Sequence, residues 1–519
     1  MDTDLGKRNK MKRRGKRIRP RYALILLNLA IIISSFLIYY ALGSYAHISP
    51  LYDNGNWIST KLTLDKGVVG AVSFMVTKYP LRMNKLDLSS WNGFQEITYK
   101  DEIALSMTDF DFMLDDRAYL IFIFNKDATG FSGIRISNNE RYSSMYFNAD
   151  AEGKFESKTN LNVKIRKDKI NHMRVLFSDD GLTLYINDAL SGKINIRVLE
   201  KQKVGFRGSM NPAYIDNIAF YNKDKEIVFK EKFSGIKPLL PALLVFLIQL
   251  LINLLFFIFS ENNKNLFFKL ILLNFIIICL ISFFYLSYIM IILDKYPTNP
   301  DKIDWRGLKT AIEDESSVMD RIKDDYGSGE SSKHRIMFIG TSQTWGAGAS
   351  VEDKTFVSRI ELLLNNNTKD QSYNCINGGI SGLNSSKLYL IYHDALRQIN
   401  PDTLVIDLSN NDYDKTELKK NLNKFVLFDK EHEIKTIFVL EPNIIDSPEE
   451  ERLLRNHDMM RQLAVENNVT VVDMHTYLLE HYDDGFIWWD SVHLTDFGQK
   501  IFAEQFYNQT KDILRFDAE

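Results

Sequence analysis

The sequence predicts a multi-domain membrane protein. It would combine a C-terminal α/β doubly wound parallel sheet, an all-β sandwich and three transmembrane helices. Three observations predict this: three long uncharged apolar runs, short alternating runs between the first two of them, and strand-like runs that alternate with helical patterns after residue 332. A chain of 519 residues is expected to fold as roughly three units, at about 150 residues per domain.

Each apolar run has the length of a membrane-crossing helix. The runs cover residues 22–42, 238–260 and 270–293 and contain no charged residue. A helix needs about 20 apolar residues to cross the hydrocarbon core of a bilayer. Backbone groups in lipid must be satisfied within the segment, so each run is predicted to be helical.

The charge flanking the first run predicts the orientation. Residues 1–21 contain ten Lys and Arg residues, beginning at Lys7. Such a tail normally stays in the cytoplasm. The prediction is therefore a multi-pass protein of the plasma (inner) membrane, in contact with the lipid bilayer, with both large soluble segments on the extracytoplasmic side. A cleaved signal peptide, with cleavage between Ala41 and Ala46, is the alternative.

The overall composition excludes some classes of function. The chain has 64 basic and 67 acidic residues and a net charge of -3, so no nucleic-acid partner is expected. Its two cysteines, Cys279 and Cys375, do not have the spacing of a metal site or of an obvious disulfide. Neither a metal nor a cofactor is predicted.

Residues 51–233 have the alternating pattern of a β-sandwich. Within them, a strand, an Asp-Asp-Gly turn at residues 179–181 and a second strand form a predicted hairpin. This hairpin and the stretch at residues 204–222 resemble the laminin-G-like or concanavalin-like jelly rolls. The sandwich could bind glycans through exposed aromatic residues such as Trp91, Tyr142 or Tyr146, or it could be a spacer or assembly module.

A polar linker at residues 294–332 precedes the predicted α/β domain at residues 333–519. Strand-like runs and helical patterns alternate along this domain, which is typical of βαβ units and of a parallel sheet covered on both faces. Ligand sites in such sheets lie at the carboxyl ends of the strands. Polar motifs follow the predicted strands at this edge.

The first three motifs contain candidate catalytic groups. Ser342 follows a buried strand, in a turn before a helix, where its hydroxyl could be exposed beside backbone N–H groups. Gly382 lies in a glycine-rich loop after the second strand, and Asn411 follows the third strand. Each has a structural alternative, because a serine can cap a helix and loops often contain Asx-turns.

The fourth motif, WWDSVHLTDFGQ, contains Asp490 and His493. Their spacing of three residues lets one tight loop place the carboxylate against the imidazole ring. A serine hydroxyl needs a base to take its proton, and a carboxylate holds that base in the right tautomer. The sequence thus contains every part of a Ser-His-Asp triad.

Together these motifs resemble the SGNH/GDSL hydrolase family, whose sheet is flavodoxin-like. The resemblance implies Ser342 as nucleophile, His493 as general base and Asp490 as its partner. It also implies an oxyanion hole formed by Ser342, Gly382 and Asn411. Two positions depart from the family pattern: Thr341 replaces the usual Asp before the serine, and Ser409 replaces the usual Gly of the third motif.

The predicted function is a membrane-anchored serine esterase that removes ester-linked groups, most simply O-acetyl groups, from an envelope or extracellular glycan or an acylated small molecule. One alternative is an O-acyltransferase that works with a membrane acyl-donor protein, and another is a non-catalytic glycan-binding or assembly module. Glu441 could contact the substrate. Trp345, Trp488 and Trp489 could stack on a sugar or line the pocket.

Overall fold

The computed structural model describes most of the two predicted soluble domains. All of the described residues except Leu272 belong to one compact unit. The described residues are 57–59, 86–87, 96–209, 211, 213–231, 272, 319–320, 322, 334–367, 372–444 and 450–514.

The described helices correct the prediction of a multi-pass membrane protein. In the part of the chain that the structure describes, no helix is long and apolar enough to cross a bilayer. The two longest helices there, Glu450–Asn467 and Asp496–Leu514, bury one face and place charged residues on the other, as helices on a globular core do. Apart from Leu272, the predicted spans 22–42, 238–260 and 270–293 lie outside the described residues. Neither transmembrane helices nor a plasma-membrane location is therefore supported.

The middle segment is a sandwich of two antiparallel sheets. One has the strand order β1-β3-β12-β5-β6-β7-β8, and the other has the order β11-β10-β9-β4-β13-β14 with β2 beside β13. The described strands are β1 (Trp57–Ser59), β2 (Leu86–Asp87), β3 (Glu96–Tyr99), β4 (Met107–Leu114), β5 (Tyr119–Lys126), β6 (Gly130–Ser137), β7 (Met145–Asp150), β8 (Phe155–Asn160), β9 (Asn171–Ser178), β10 (Gly181–Ile186), β11 (Ala189–Ile194), β12 (Lys203–Gly208), β13 (Ala213–Tyr221) and β14 (Ile227–Glu231).

Alternating side chains fill the space between the two sheets. Every second residue of β4 is buried, and the ring of Phe110 lies 4.9 Å from that of Phe206 on the opposite sheet. The predicted hairpin is present, because β9 pairs with β10 from Ser178 and Gly181 outwards. The prediction of an all-β middle segment is thus confirmed.

The aromatic residues proposed for sugar stacking are not exposed where the structure describes them. Tyr142 is 9 % exposed and Tyr146 is 3 % exposed. The Tyr146 hydroxyl donates to Asn148, and the Tyr142 ring packs on Tyr119. Trp91 lies outside the described residues. The prediction that these two tyrosines are exposed is therefore wrong, and glycan binding by the sandwich stays a prediction.

The C-terminal segment forms a five-stranded parallel sheet with helices on both faces. Its strand order is β16-β15-β17-β18-β19, the doubly wound order in which the first strand lies between the second and the third. The strands are β15 (His334–Gly340), β16 (Tyr373–Gly379), β17 (Thr403–Asp407), β18 (Lys435–Leu440) and β19 (Thr470–Asp473). The described helices are α1 (Ser342–Trp345), α2 (Phe356–Asn367), α3 (Ser385–Asp394), α4 (Lys415–Glu431), α5 (Glu450–Asn467), α6 (Met474–Glu480) and α7 (Asp496–Leu514).

The side chains of β15 point alternately to the two faces of the sheet and pack in the hydrophobic core on each face. Phe338 packs beneath α2 and α7, where its ring lies 5.5 Å from that of Phe506. Met337 and Ile339 join the core on the opposite face, beneath α3, α4 and α5. Successive strand residues point to opposite faces, so an apolar run such as IMFI is buried on both sides. The α/β fold predicted for this segment is confirmed.

Candidate active site

Ser342 lies in a tight turn at the carboxyl end of β15. Gly340 ends the strand, Thr341 is the N-cap residue, and Ser342 begins α1. A Cβ atom on Gly340 would lie 1.9 Å from the Thr344 hydroxyl and 2.5 Å from the Asp407 carbonyl oxygen. Only glycine permits this close approach. The turn leaves Ser342 partly exposed between buried neighbours.

Ser342, His493 and Asp490 form a continuous chain of hydrogen bonds. The His493 Nε2 atom lies 2.7 Å from the Ser342 Oγ atom, and His493 Nδ1 lies 2.6 Å from Asp490 Oδ2. The other carboxylate oxygen accepts the backbone N–H groups of Val492 and His493. The loop thus fixes the carboxylate first, and the carboxylate then orients the ring towards the serine.

Asp490 is held in its ionised form. Burial raises the pKa of this carboxyl group, but the charge of His493 and the three hydrogen bonds from residues 492–493 lower it by more. Its pKa therefore lies below the ordinary value. An ionised Asp490 keeps the proton on Nδ1, so Nε2 is free to accept the Ser342 proton.

The two predicted oxyanion loops meet at the same edge of the sheet. Gly340 is in register with Gly379 on one side and with Asp407 on the other, so the loops after these strands flank Ser342. The Asn411 amide donates to the Leu383 carbonyl oxygen at 3.0 Å. Gly382 is exposed and has a φ of +78° with open space around it. The structure thus brings all five predicted residues to one edge of the sheet.

Glu441 lies beneath this edge and links two of the motifs. It is fully buried directly after β18. One carboxylate oxygen accepts the Thr341 hydroxyl at 3.0 Å. The other accepts the backbone N–H groups of Ser409 and Asn410 and the Ser409 hydroxyl. Glu441 therefore links Thr341, the residue before Ser342, to the two residues before Asn411.

These contacts explain the two departures from the family pattern. Thr341 brings no carboxylate of its own, but its hydroxyl binds the carboxylate of Glu441. Ser409 adds a hydroxyl donor that glycine lacks. Glu441 was predicted either to contact the substrate or to have a structural role, and its contacts are those of a structural residue. A carboxylate at the end of an apolar strand favours this role, because a buried charge needs several hydrogen-bond donors.

A second buried carboxyl group, Asp407, accompanies Glu441. Burial raises the pKa of both groups, and the Glu441 charge raises that of Asp407 further. Donors on Asn410, Thr341 and Ser409 oppose the shift at Glu441, whereas Asp407 accepts one hydrogen bond, from the Thr344 hydroxyl at 2.8 Å. Two neighbouring buried carboxyl groups favour sharing one proton, and these donors assign the charge to Glu441.

Replacing Glu441 with alanine is expected to destabilise the protein and lower kcat. The buried N–H groups of Ser409 and Asn410 would lose their acceptor, at about 1–3 kcal/mol for each unsatisfied group. Glu441→Gln keeps an acceptor oxygen and should lose less. Denaturant titration measures the effect, with the exposed Glu431→Ala as control. An unchanged free energy of unfolding in Glu441→Ala would contradict this role.

Three tryptophans and two histidines of this domain are buried in the structure. Trp345, Trp488 and Trp489 are between 4 % and 7 % exposed, so they form walls and core rather than open stacking platforms. His457 and His475 are also buried, and burial lowers the pKa of both, that of His457 to about 3. These two histidines are therefore neutral interior residues.

Comparison with known proteins identifies a family that matches part of the α/β segment. Residues 338–501 match the GDSL-like lipase/acylhydrolase family. This segment is a GDSL-like acylhydrolase domain. The match spans Ser342, both oxyanion loops and the loop of Asp490 and His493, and it identifies an enzyme that hydrolyses ester bonds. Curated protein sequences gave no match.

Several solved structures are similar to this acylhydrolase segment. An acetyl xylan esterase, AlAXEase, is 22 % identical over 34 % of this chain and 98 % of its own, with a TM-score of 0.31. The α/β hydrolase LAE5 from the metagenome of Lake Arreo, Spain, is 19 % identical over 36 % and 99 %, with a TM-score of 0.32. An acetylxylan esterase from Geobacillus stearothermophilus is 21 % identical over 36 % and 96 %, with a TM-score of 0.32.

Proposed function

We propose that the protein is a serine esterase that removes short acyl groups from an acylated carbohydrate, with Ser342, His493 and Asp490 as its catalytic residues. The observation that supports this best is the unbroken chain of hydrogen bonds from Ser342 Oγ through His493 to Asp490. A serine in such a chain is activated as a nucleophile.

The proposed reaction proceeds through an acyl-enzyme. Ser342 Oγ attacks the ester carbonyl carbon while His493 Nε2 takes the hydroxyl proton. The tetrahedral oxyanion is held by the N–H groups of Ser342 and Gly382 and by the Asn411 amide. His493 then gives its proton to the departing alkoxide, which leaves as an alcohol. Water, deprotonated by His493, attacks the acyl-enzyme, and a carboxylic acid and free Ser342 result.

The carbohydrate substrate is proposed from the accessibility of the site and from the sandwich. Ser342 and His493 are both partly exposed, and the exposed Gly382 leaves open space on the oxyanion side. A partly exposed site of this kind suits a small acyl group on a bulky chain. The sandwich beside the site resembles the jelly rolls, an architecture that often accompanies glycan substrates. This part of the proposal is based on the resemblance.

Transfer of the acyl group to a sugar hydroxyl is the second candidate. The acyl-enzyme is common to both reactions, and only the acceptor differs. The accessible site leaves room for a sugar as well as for water. Both candidates share the first half-reaction.

The test uses the purified full-length protein with acetylated and deacetylated oligosaccharides. The proposal predicts release of acetic acid from the acetylated substrate, and it predicts faster turnover of aryl acetates than of long-chain aryl esters. Acetylation of an added sugar in place of acid release would favour the transferase. Preference for long-chain esters would contradict the carbohydrate substrate, and absence of any ester turnover would contradict the function.

A further inference from the structure

The loop that carries Asp490 and His493 also contacts the β-sandwich. This loop spans residues 481–495, between α6 and α7. Its second half contains the two proposed catalytic residues. Its first part, residues 482–486, is here called the anchor segment. In the described part of the chain, this segment contacts β5, β6, β7, β8 and β12 of the sandwich and the turns between β6, β7 and β8.

Backbone pairing joins the anchor segment to the turn between β7 and β8. The Phe155 N–H donates to the Asp484 carbonyl oxygen at 2.8 Å, and the Phe486 N–H donates to the Gly153 carbonyl oxygen at 2.9 Å. These reciprocal bonds form an antiparallel bridge between Lys154 and Gly485. A Cβ atom on Gly485 would lie 2.6 Å from the Gly153 oxygen, so this approach requires glycine.

The Phe486 ring inserts into an aromatic cluster on the outer face of the sandwich. Its centroid lies 5.6, 5.5 and 5.0 Å from those of Phe131, Phe147 and Phe155. The Arg207 guanidinium covers it at 4.2 Å from the ring centroid. Edge-to-face aromatic pairs and a cation over a ring each add attraction to the area that is buried. Phe486 is therefore the main apolar anchor of the loop.

A largely buried ion pair fixes the start of the anchor segment. The Arg135 guanidinium donates to the Asp483 carboxylate at 2.6 Å, and Arg135 is 4 % exposed. The Lys158 ammonium donates to the Asp483 carbonyl oxygen at 2.9 Å. Removing one partner of a buried ion pair leaves an uncompensated charge. The Arg135–Asp483 ion pair thus fixes both the orientation of the loop and its distance from the sandwich.

The anchor is coupled directly to the proposed catalytic residues. The Thr495 side chain donates to the Phe486 carbonyl oxygen, and its N–H donates to Ile487, which closes residues 487–495 into a compact loop. Within it, the Trp489 N–H donates to the His493 carbonyl oxygen at 2.8 Å. A displacement of Phe486 would therefore move the loop that sets the distances from Asp490 to His493 and from His493 to Ser342.

We propose that the β-sandwich contributes to catalysis. It positions the loop of Asp490 and His493 through Phe486 and through the Arg135–Asp483 ion pair. Phe486 is a positioning residue, since it acts through Asp490 and His493 and does not need to touch the substrate. The inference rests on the proposed catalytic roles of those two residues. In this proposal the sandwich contributes to turnover. Neither a spacer nor a glycan-binding domain would need to do so.

The first test compares kcat and KM of the full-length Phe486→Ala variant with those of the wild type. Misplacement of catalytic groups by about 1 Å can cost about 100-fold in rate, so kcat should fall by about 10- to 100-fold with a smaller change in KM. The rate at which a fluorophosphonate labels Ser342 should fall in parallel. Phe486→Leu, which keeps apolar bulk, should recover most of the lost kcat.

Two matched controls separate positioning from general loss of stability. Phe177→Ala removes an equally large ring from the core between the two sheets. Among the described residues, the aromatic partners of Phe177 are different from those of Phe486. Asp109→Asn breaks a comparable ion pair, with Arg174 at 2.9 Å, on the other sheet. Both should lower the unfolding midpoint and leave kcat of the folded protein unchanged. Asp483→Asn, by contrast, should lower kcat as Phe486→Ala does.

The outcomes distinguish this inference from the proposed function. Wild-type kcat in both Phe486→Ala and Asp483→Asn would overturn the positioning role while leaving the esterase intact. An equal loss of kcat in the control variants would overturn it too, because the effect would then be one of stability. A wild-type protein without Ser342-dependent turnover would overturn the proposed function, and the positioning role with it.

Discussion

Ser342→Ala is expected to abolish measurable ester hydrolysis, with kcat reduced on the order of 10⁴- to 10⁶-fold. The substitution removes the only atom that can form the acyl-enzyme in the proposed mechanism. The residual rate would come from the oxyanion donors and from substrate binding. Alanine is accepted at the first position of a helix, so the variant should fold and unfold as the wild type does.

Ser350→Ala is the matched control for this prediction. Ser350 is also partly exposed and lies in the same segment, where its hydroxyl donates to Asp496. The control should keep its kcat and lose a little stability with that hydrogen bond. Comparable activity in Ser342→Ala and the wild type, measured on the same aryl acetate, would place the nucleophile elsewhere.

The second large effect is expected for Asp490→Asn, with a loss of about 10⁴-fold in kcat. The side-chain oxygen that accepts the N–H groups of Val492 and His493 would stay in place, and the amide NH₂ would then face His493 Nδ1. The ring would carry its proton on Nε2, so it could no longer accept the proton of Ser342. The loss should appear in kcat and in kcat/KM alike, because binding does not depend on the tautomer.

A nearby carboxylate provides the control. Asp496 begins α7 and accepts hydrogen bonds from Ser350 and from the Lys354 ammonium. Asp496→Asn should lower the free energy of unfolding and leave kcat close to that of the wild type. Equal losses in the two variants, measured by steady-state hydrolysis, would mean that Asp490 acts through stability rather than through the ring of His493.

Prediction from the sequence succeeded where the pattern of side chains is determined directly by the local backbone geometry. The runs from Arg335 and from Thr403 predicted strands because strands buried on both faces are continuously apolar. The spacing between Asp490 and His493 predicted their contact because three residues span one tight turn. The geometry of these two residues and of Ser342 therefore follows from local rules, while their chemical roles stay predictions.

Other features depend on contacts between distant residues. Helix α4 was missed although Asp414 caps it and Leu418, Leu422 and Phe425 form its buried stripe, since its many lysines and asparagines hide that stripe. Phe486 and Asp483 gave no signal because their sandwich partners, from Phe131 to Arg207, lie between 279 and 355 residues earlier in the chain. The membrane prediction rested on hydropathy and on the basic residues before the first apolar run, and no described helix supports it.

The central claim is that Ser342 is the nucleophile and that His493 activates it. Mass spectrometry of the full-length protein after treatment with a fluorophosphonate tests both halves in one measurement. The predicted result is one adduct per chain, on the peptide that contains Ser342, with labelling strongly slowed in His493→Ala. An adduct on another residue, or labelling of Ser342 at the same rate in His493→Ala, would contradict the claim.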